Sequence, residues 1–322
     1  MTSHVVLGAN GVVGRETVSA LRAGGHTVAA VARTLSADAA VPRIGADLRD
    51  AASAVRALEG ADVAYLTVGV PYSTRVWRRD WPVILRNTID ACITHGARLV
   101  YFDNVYVYGR TDAPMTEDTP IRPSSRKGEV RAALLEMLAT AARERGLGYT
   151  VGRSADFYGP GAATSVFNMF VVDRVVAGKP PTWLFDATQP HSMTYTPDIG
   201  AALAVLGTDL RARGRTWHLP TAPALTGDGY LALATGGSLP HRTMSMTTMR
   251  MGAAFSAAAR GALEMAYQNT GPYRFDSTAF EREFGIVPTP YADGIAASLD
   301  HAARGAVGQA DRTDRSRPKL RT

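Results

Sequence analysis

Apolar positions along the chain fall into two rhythms. Short unbroken runs recur as HVVLG (4–8), HTVAAVA (26–32), DVAYLTVG (62–69), ARLVYFD (97–103) and GYTVGR (148–153). They are strand-length and lack the alternation of a half-exposed strand, so they predict strands buried on both faces. Between them, apolar residues recur at helical spacing over 12–24, about 76–95 and 125–145. Strand and helix in alternation predict a parallel sheet covered on both sides.

The third helix opens oddly. In PIRPSSRKGEVRAALLEML (120–138), Pro and Ser lead in, and Leu134, Leu135 and Leu138 mark the buried face. Lys127 and Arg131 stand four apart in the early turns, where the positive end of the helix dipole disfavours cations. Beyond residue 160 the pattern loosens into the turn signals FYGPG, GKPP and HLPTAPALTG. Helices are expected there at about 164–177, 198–207 and 250–268. The division predicted is a nucleotide-binding unit over 1–163 to which 187–216 returns. A substrate lobe takes 164–186 and 217–304, and a disordered basic tail takes 305–322.

Composition is that of an ordinary globular protein of 322 residues, 46% apolar and 20% charged. The lone Cys92 permits no internal disulfide and fits a reducing cytoplasm. The chain enters an apolar strand by residue 4, so no signal peptide is expected. No run reaches the ~18 apolar residues of a membrane span. Of the net charge of +6, the stretch 305–322 supplies half, with five Arg/Lys against two Asp. That placement, without interleaved aromatics, argues against nucleic acid as a partner. Seven scattered histidines show no metal-ligand spacing.

The chemistry begins at Gly8-Ala9-Asn10-Gly11-Val12-Val13-Gly14, between the first strand and the first helix. Gly8 permits a tight turn, Gly11 lets backbone approach a pyrophosphate, and Gly14 lets helix and strand pack closely. An NAD-preferring site places a carboxylate about 20 residues past such a loop. Here Ala32 and Arg33 end the second strand, which predicts NADP, its 2′-phosphate held by Arg33. Asp47-Leu48 and Thr67-Val68-Gly69, after the third and fourth strands, complete the expected cofactor contacts. The fold class is therefore α/β, a Rossmann-type doubly wound parallel sheet with a smaller C-terminal substrate lobe.

These features resemble the extended short-chain dehydrogenase/reductase superfamily, the group called NAD-dependent epimerase/dehydratase. VYVYG (105–109), EDTPIRP (117–123), RSADFYGPG (153–161), YTPDIGAAL and FDSTAFEREFGIVPTPYADGI carry the likeness, which runs from residue 4 to about 300. The resemblance implies an enzyme acting on a small molecule, in a superfamily that often pairs as homodimers through helices beside the sheet. It also implies a catalytic Tyr-x-x-x-Lys and a serine. Aligned on Arg122-Pro123, Lys127 takes the tyrosine position, Arg131 the lysine position and Asn104 the serine position.

Each departure leaves usable chemistry. Asn104 keeps a donor for a carbonyl oxygen. Arg131 can grip a ribose but cannot titrate. Lys127 is read as a ribose or phosphate contact, as a proton-transferring amine, or as half of a surface pair. Tyr72, Tyr158 and Asp156 are substitute acids. His191 stands where nucleotide-sugar enzymes of the superfamily carry an arginine, which weakens a sugar-diphosphate reading. Asp198 is expected to cap the helix at IGAAL. The first functional reading is an NADP-dependent oxidoreductase on a small carbonyl or alcohol. The alternatives are an epimerase, isomerase or dehydratase using the cofactor transiently or as scaffold, and a non-catalytic NADP sensor.

Overall fold

The structure is a computed structural model and describes residues 2–34 and 41–315. From the N-terminus, β1 (Ser3–Leu7), α1 (Val12–Ala23), β2 (Thr27–Ala32), β3 (Arg43–Gly45), α2 (Ala51–Ala57), β4 (Val63–Leu66), α3 (Thr74–His95), β5 (Arg98–Asn104), α4 (Arg126–Arg145) and β6 (Tyr149–Ser154) follow in turn. The chain then runs through β7 (Asp156–Tyr158), α5 (Asp173–Val176), β8 (Thr182–Leu184), β9 (Pro190–His191), β10 (Met193–Tyr195) and α6 (Thr196–Thr208) to β11 (Thr216–His218). The C-terminal part comprises β12 (Leu225–Thr226), α7 (Gly227–Thr235), β13 (Arg242–Met244), α8 (Met246–Phe255), α9 (Ala257–Glu264), α10 (Thr278–Phe284) and α11 (Tyr291–Arg315).

Seven strands form one sheet in the order β3-β2-β1-β4-β5-β6-β11, all parallel. The chain reverses direction of travel between β1 and β4, which opens a crevice at their carboxyl ends. Both sheet faces are covered, as the continuous apolar runs require. One face packs Trp81, Leu85, Leu134 and Leu138 of α3 and α4 against Leu7, Leu66 and Leu99. The other packs Val13 and Leu21 of α1 and Ile199, Leu203 and Leu206 of α6 against Val6, Val63 and Val100. A third apolar cluster, around Tyr158, Phe167, Trp183, Tyr230 and Tyr291, forms the core of the smaller lobe.

Local sequence explains several departures from expectation. The helix expected at 250–268 is two helices, because Ser256 caps α9 by accepting from the Ala259 N–H at 3.3 Å. The one expected at 164–177 contains a π-helical turn, Asn168–Val172, pinned where Asn168 Nδ2 donates to the Gly159 carbonyl at 2.7 Å. Asp198 does not cap α6, which starts at Thr196 with Tyr195 before it. Its carboxylate instead accepts from the Thr289 N–H and hydroxyl, both at 2.8 Å, tying the loop before α11 to α6. α11 runs to Arg315, past the boundary expected at 305, because Tyr291, Ile295, Leu299 and Ala302 anchor its first turns on the lobe core. The end of the expected tail, 316–322, lies outside the described residues.

Beneath the crevice lies a buried polar chain. Arg153 on β6 donates to Asp103 Oδ2 on β5 from Nε at 3.1 Å and Nη2 at 3.0 Å, and Nη1 donates to Tyr108 Oη at 2.5 Å. Tyr108 Oη lies 2.6 Å from His218 Nε2, and His218 Nδ1 lies 2.8 Å from the Asp276 carbonyl oxygen. A carbonyl only accepts, so Nδ1 carries the proton and Nε2 accepts from the phenol.

Burial, with the nearby Arg153 guanidinium, holds His218 down at about 3. Burial and His26 hold His4 down at about 4. Both rings fold neutral while the unfolded chain protonates them near 6.5, so stability is full above that value and is lost as pH falls. Each contributes a slope of about 1.4 kcal/mol per pH unit between roughly pH 4 and 6. Urea denaturation across that range should show the loss. His218→Gln should remove one proton's worth of slope, at a neutral-pH cost of about 1–3 kcal/mol for the disrupted bonds.

Candidate functional site

A cavity of ≈ 1340 Å³ runs along the carboxyl edge of the sheet, and most of the residues singled out in the sequence line it. At one end is the glycine turn. Gly8 adopts φ +93°, and a Cβ there would lie 2.7 Å from Val68 Cα in the turn after β4. The Gly8 and Ala9 N–H groups donate to the Val31 carbonyl at 2.9 and 3.0 Å, so the turn is fixed from β2. A Cβ on Gly14 would strike the Gly8 carbonyl and lie 2.8 Å from Ala9 Cα; this glycine serves packing and does not line the cavity. Gly8, Asn10, Gly11, Val12 and Val13 do line it, and the first N–H groups of α1 have no intrahelical partner.

Cations gather at this end. Arg33 is exposed, makes no hydrogen bond among the described residues, and lines the cavity beside Asp47 and Leu48. Asp47 is itself clamped by Arg49, whose Nε and Nη2 lie 3.0 and 2.5 Å from its oxygens. The side-chain bond from Arg49 holds the Asp47 carboxyl down at about 2. Arg49 and Arg15 also line the cavity and escaped the sequence reading. Arg15 carried a legible signal, a cation in the first turn of a helix. It donates to the Asn10 carbonyl at 2.8 Å.

At the middle of the cavity, Thr67, Val68, Gly69 and Tyr72 from the β4 turn meet Asn104 at the end of β5, Tyr106 just beyond it, and Asp156 after β6. Asn104 Oδ1 accepts from the Tyr106 N–H at 3.2 Å, leaving its NH₂ for the cavity. The Tyr72 and Tyr106 hydroxyls are 3.1 Å apart. Tyr72 is 40% exposed, yet its hydroxyl sits at the covered end of the ring, against Tyr106. Burial drives both phenols well above their ordinary range, with the Asp156 carboxylate adding to it. Both therefore hold their protons at any working pH. His191 Nε2 lies 3.1 Å from Asp156 Oδ2, and its ring stacks on Tyr273 at 4.4 Å.

Two expectations are corrected, those for Lys127 and Tyr158. Lys127 is neither at a ribose nor on the surface; it is fully buried and does not line the cavity. Its Nζ donates to Glu264 Oε2 at 2.8 Å and to the Gly261 carbonyl at 3.2 Å, and lies 4.5 Å over the Tyr72 ring. Glu264 Oε1 also accepts from the Lys127 N–H at 3.0 Å, and Thr74 donates to Oε2 at 2.8 Å. A carboxylate thus answers both the cation and the helix start. Burial raises the Glu264 carboxyl, but the bonds from Lys127 and Thr74 outweigh it and the net effect is a lowering.

Arg131 lines the cavity, with its guanidinium held in place from behind. Its guanidinium lies 4.2 Å from the Trp81 ring and 4.9 Å from that of Trp77, and Nη1 donates to Tyr101 Oη at 2.6 Å. Tyr158 is fully buried among Phe167, Tyr195 and Tyr291, away from the cavity, where it has no route to a substrate. The described residues contain no cluster of three or more His, Cys, Asp or Glu able to hold a metal. None of their helices is long and apolar enough to cross a membrane.

A family model for the NAD dependent epimerase/dehydratase family matches residues 4–218. Among curated proteins, the Arabidopsis thaliana 3beta-hydroxysteroid-dehydrogenase/decarboxylase isoform 2 is 23% identical over 299 residues, covering 81% of this chain and 52% of that relative. This chain thus spans about half the relative's length. The Thermus thermophilus UDP-glucose 4-epimerase complexed with NAD superimposes at TM-score 0.75 and 21% identity, covering 95% of this chain and 100% of the other. The Thermotoga maritima UDP-glucose 4-epimerase with UDP-glucose does so at 0.77 and 18%, with coverage of 95% and 100%. At these identities the structures share the fold. The match to the family model, over well more than half of the sequence, settles kinship: the chain belongs to the NAD dependent epimerase/dehydratase family.

Proposed function

We propose that this enzyme is an NADP-dependent oxidoreductase working on a small carbonyl or alcohol. The observation that carries the reading is one continuous cavity joining a basic, glycine-walled end to an amide donor and a phenol pair. The residues fit a dinucleotide. The position of a Gly11 Cβ meets only the Gly8 carbonyl, at 3.3 Å, and is otherwise open. Arg131 Nε and Asp103 Oδ1, on side chains lining the cavity, are buried without hydrogen-bond partners. The α1 N-terminus and Arg15 would face the pyrophosphate, and Arg33 with Arg49 the 2′-phosphate. Thr67, Val68 and Gly69 would flank the cofactor's midsection.

A bound nicotinamide supplies the hydride. The Asn104 amide would hold the substrate oxygen and favour charge developing there. The Tyr106 and Tyr72 phenols, which keep their protons, would deliver one to that oxygen as it gains the electron pair of the broken C=O π bond; solvent then refills the pair. Such phenols are acids rather than bases at neutral pH, which suits carbonyl reduction. Lys127 and Glu264 fasten the wall beside Tyr72 and take no part in proton transfer. A second reading, epimerisation or dehydration without net redox, is favoured by Asp156–His191, an acid–base couple separate from the phenols. NADPH consumption matching product separates the two.

Titration of both cofactors should show NADPH binding more tightly than NADH, by about 10- to 150-fold if one charge-assisted contact decides it. Arg33→Ala should narrow that gap, and equal binding by the unaltered protein would refute the assignment. In steady-state assays Asn104→Ala should lower kcat by about 100-fold or more while leaving the NADPH Kd nearly unchanged. Tyr106→Phe should do the same; unchanged kcat in both would move the reaction centre elsewhere. Lys127→Met should behave oppositely. It strands the Glu264 carboxylate and should destabilise the fold by about 3 kcal/mol by urea denaturation, with NADPH affinity within a few-fold of normal.

A further inference from the structure

The cavity's charge is one-sided. Its four basic lining residues, Arg15, Arg33, Arg49 and Arg131, belong to β-strand turns and to α1 and α4 of the nucleotide half. Beyond Asp156, no Lys or Arg among the described residues lines it. A diphosphate buried there would meet no lysine or arginine among the described residues, and such a charge is costly to desolvate alone. The wall offered instead is mainly apolar, with Met169, Phe170, Phe185, Met244, Met249 and Met265, interrupted by Gln268, whose buried Nε2 has no hydrogen-bond partner among the described residues. Methionine conforms to irregular apolar ligands without fixing a hydrogen-bond pattern.

Two backbone features aim this wall. The π-helical turn Asn168–Val172 carries Met169 and Phe170. Phe185 is held at φ 61°, a left-handed conformation that is strained for a bulky residue. Its N–H donates to the Met244 carbonyl at 3.0 Å, and β8 pairs with β13 just before it, which holds the ring in place. At ≈ 1340 Å³ the cavity exceeds the 300–1,000 Å³ usual for one ligand, so a second molecule fits beside a dinucleotide. The polar groups at the junction, Asn104, Tyr106 and the Asp156–His191 pair, suffice for one oxygen-bearing end.

We propose that the substrate end accepts an uncharged, largely apolar ketone or alcohol, its oxygen at the junction and its hydrocarbon body on the methionine–phenylalanine wall, and excludes sugar diphosphates. This rests on the cofactor reading above. It is tested by calorimetry of 2-tetralone and of UDP-glucose with the protein saturated in NADP⁺, alongside an NADP⁺ titration of the same sample. The bicyclic ketone should bind at least about tenfold more tightly than UDP-glucose. Met169, 42% exposed and on the wall, tolerates a charge structurally; Met169→Glu should weaken 2-tetralone about tenfold or more and leave NADP⁺ affinity and circular dichroism unchanged. Tighter binding of UDP-glucose, no binding of 2-tetralone, or binding indifferent to Met169→Glu would overturn the proposal while leaving the cofactor site standing. Loss of NADP⁺ binding itself would sink the cofactor reading instead.

Discussion

The buried carboxylate of Asp103 is the constraint on which the crevice depends. It stands on β5 one residue before the strand's last, Asn104, and is fully withdrawn from water. Arg153 answers it from β6 with two hydrogen bonds to one oxygen, and Arg131 stands 3.8 Å from the other. Removing either partner from such a pair would leave a buried charge uncompensated, typically a loss of about 3–5 kcal/mol. The pair therefore fixes the register of β5 and β6 where the cavity floor is made. Through Tyr108 and His218 the same network reaches β11 and the C-terminal segment at Asp276, so the floor and the smaller lobe share one set of bonds.

Upon that floor the chain has exchanged one arrangement of α4 for another. Lysine and arginine sit where the resemblance implies tyrosine and lysine, and each is absorbed by something the motif does not contain. For Lys127 it is Glu264 at the end of α9; for Arg131 it is the paired indoles of α3 and the Tyr101 phenol. Glu264 spans three elements, since Thr74 opens α3, Lys127 lies in the first turn of α4, and Glu264 closes α9. Residues of α8 and α9 line the cavity, so this clasp holds that wall against the half of the chain that carries the parallel sheet.

What could be read from the sequence was local or periodic. The glycine turn works as spaced because each glycine answers to backbone within reach, Gly8 against Val68 and Gly14 against Ala9. The sheet followed from apolar runs, and α1, α3 and α4 fall within a residue or two of their expected spans. The clasp was illegible, because Lys127 and Glu264 are 137 residues apart and nothing near either names the other. Tyr106 was in view within VYVYG, beside Asn104, but its pairing with Tyr72 arises only when the turns after β4 and β5 meet. Tyr158, by contrast, looked available because a phenol in a loop motif carries no mark of burial. Its ring is enclosed by residues from three separate segments.

A crystal structure of the complex with NADP⁺ tests this account most directly, at α4. The 2′-phosphate should lie on Arg33 and Arg49, the nicotinamide beside Asn104 and Tyr106, and Lys127 Nζ should remain on Glu264. A Lys127 ammonium found on the nicotinamide ribose, with Glu264 released, would contradict it.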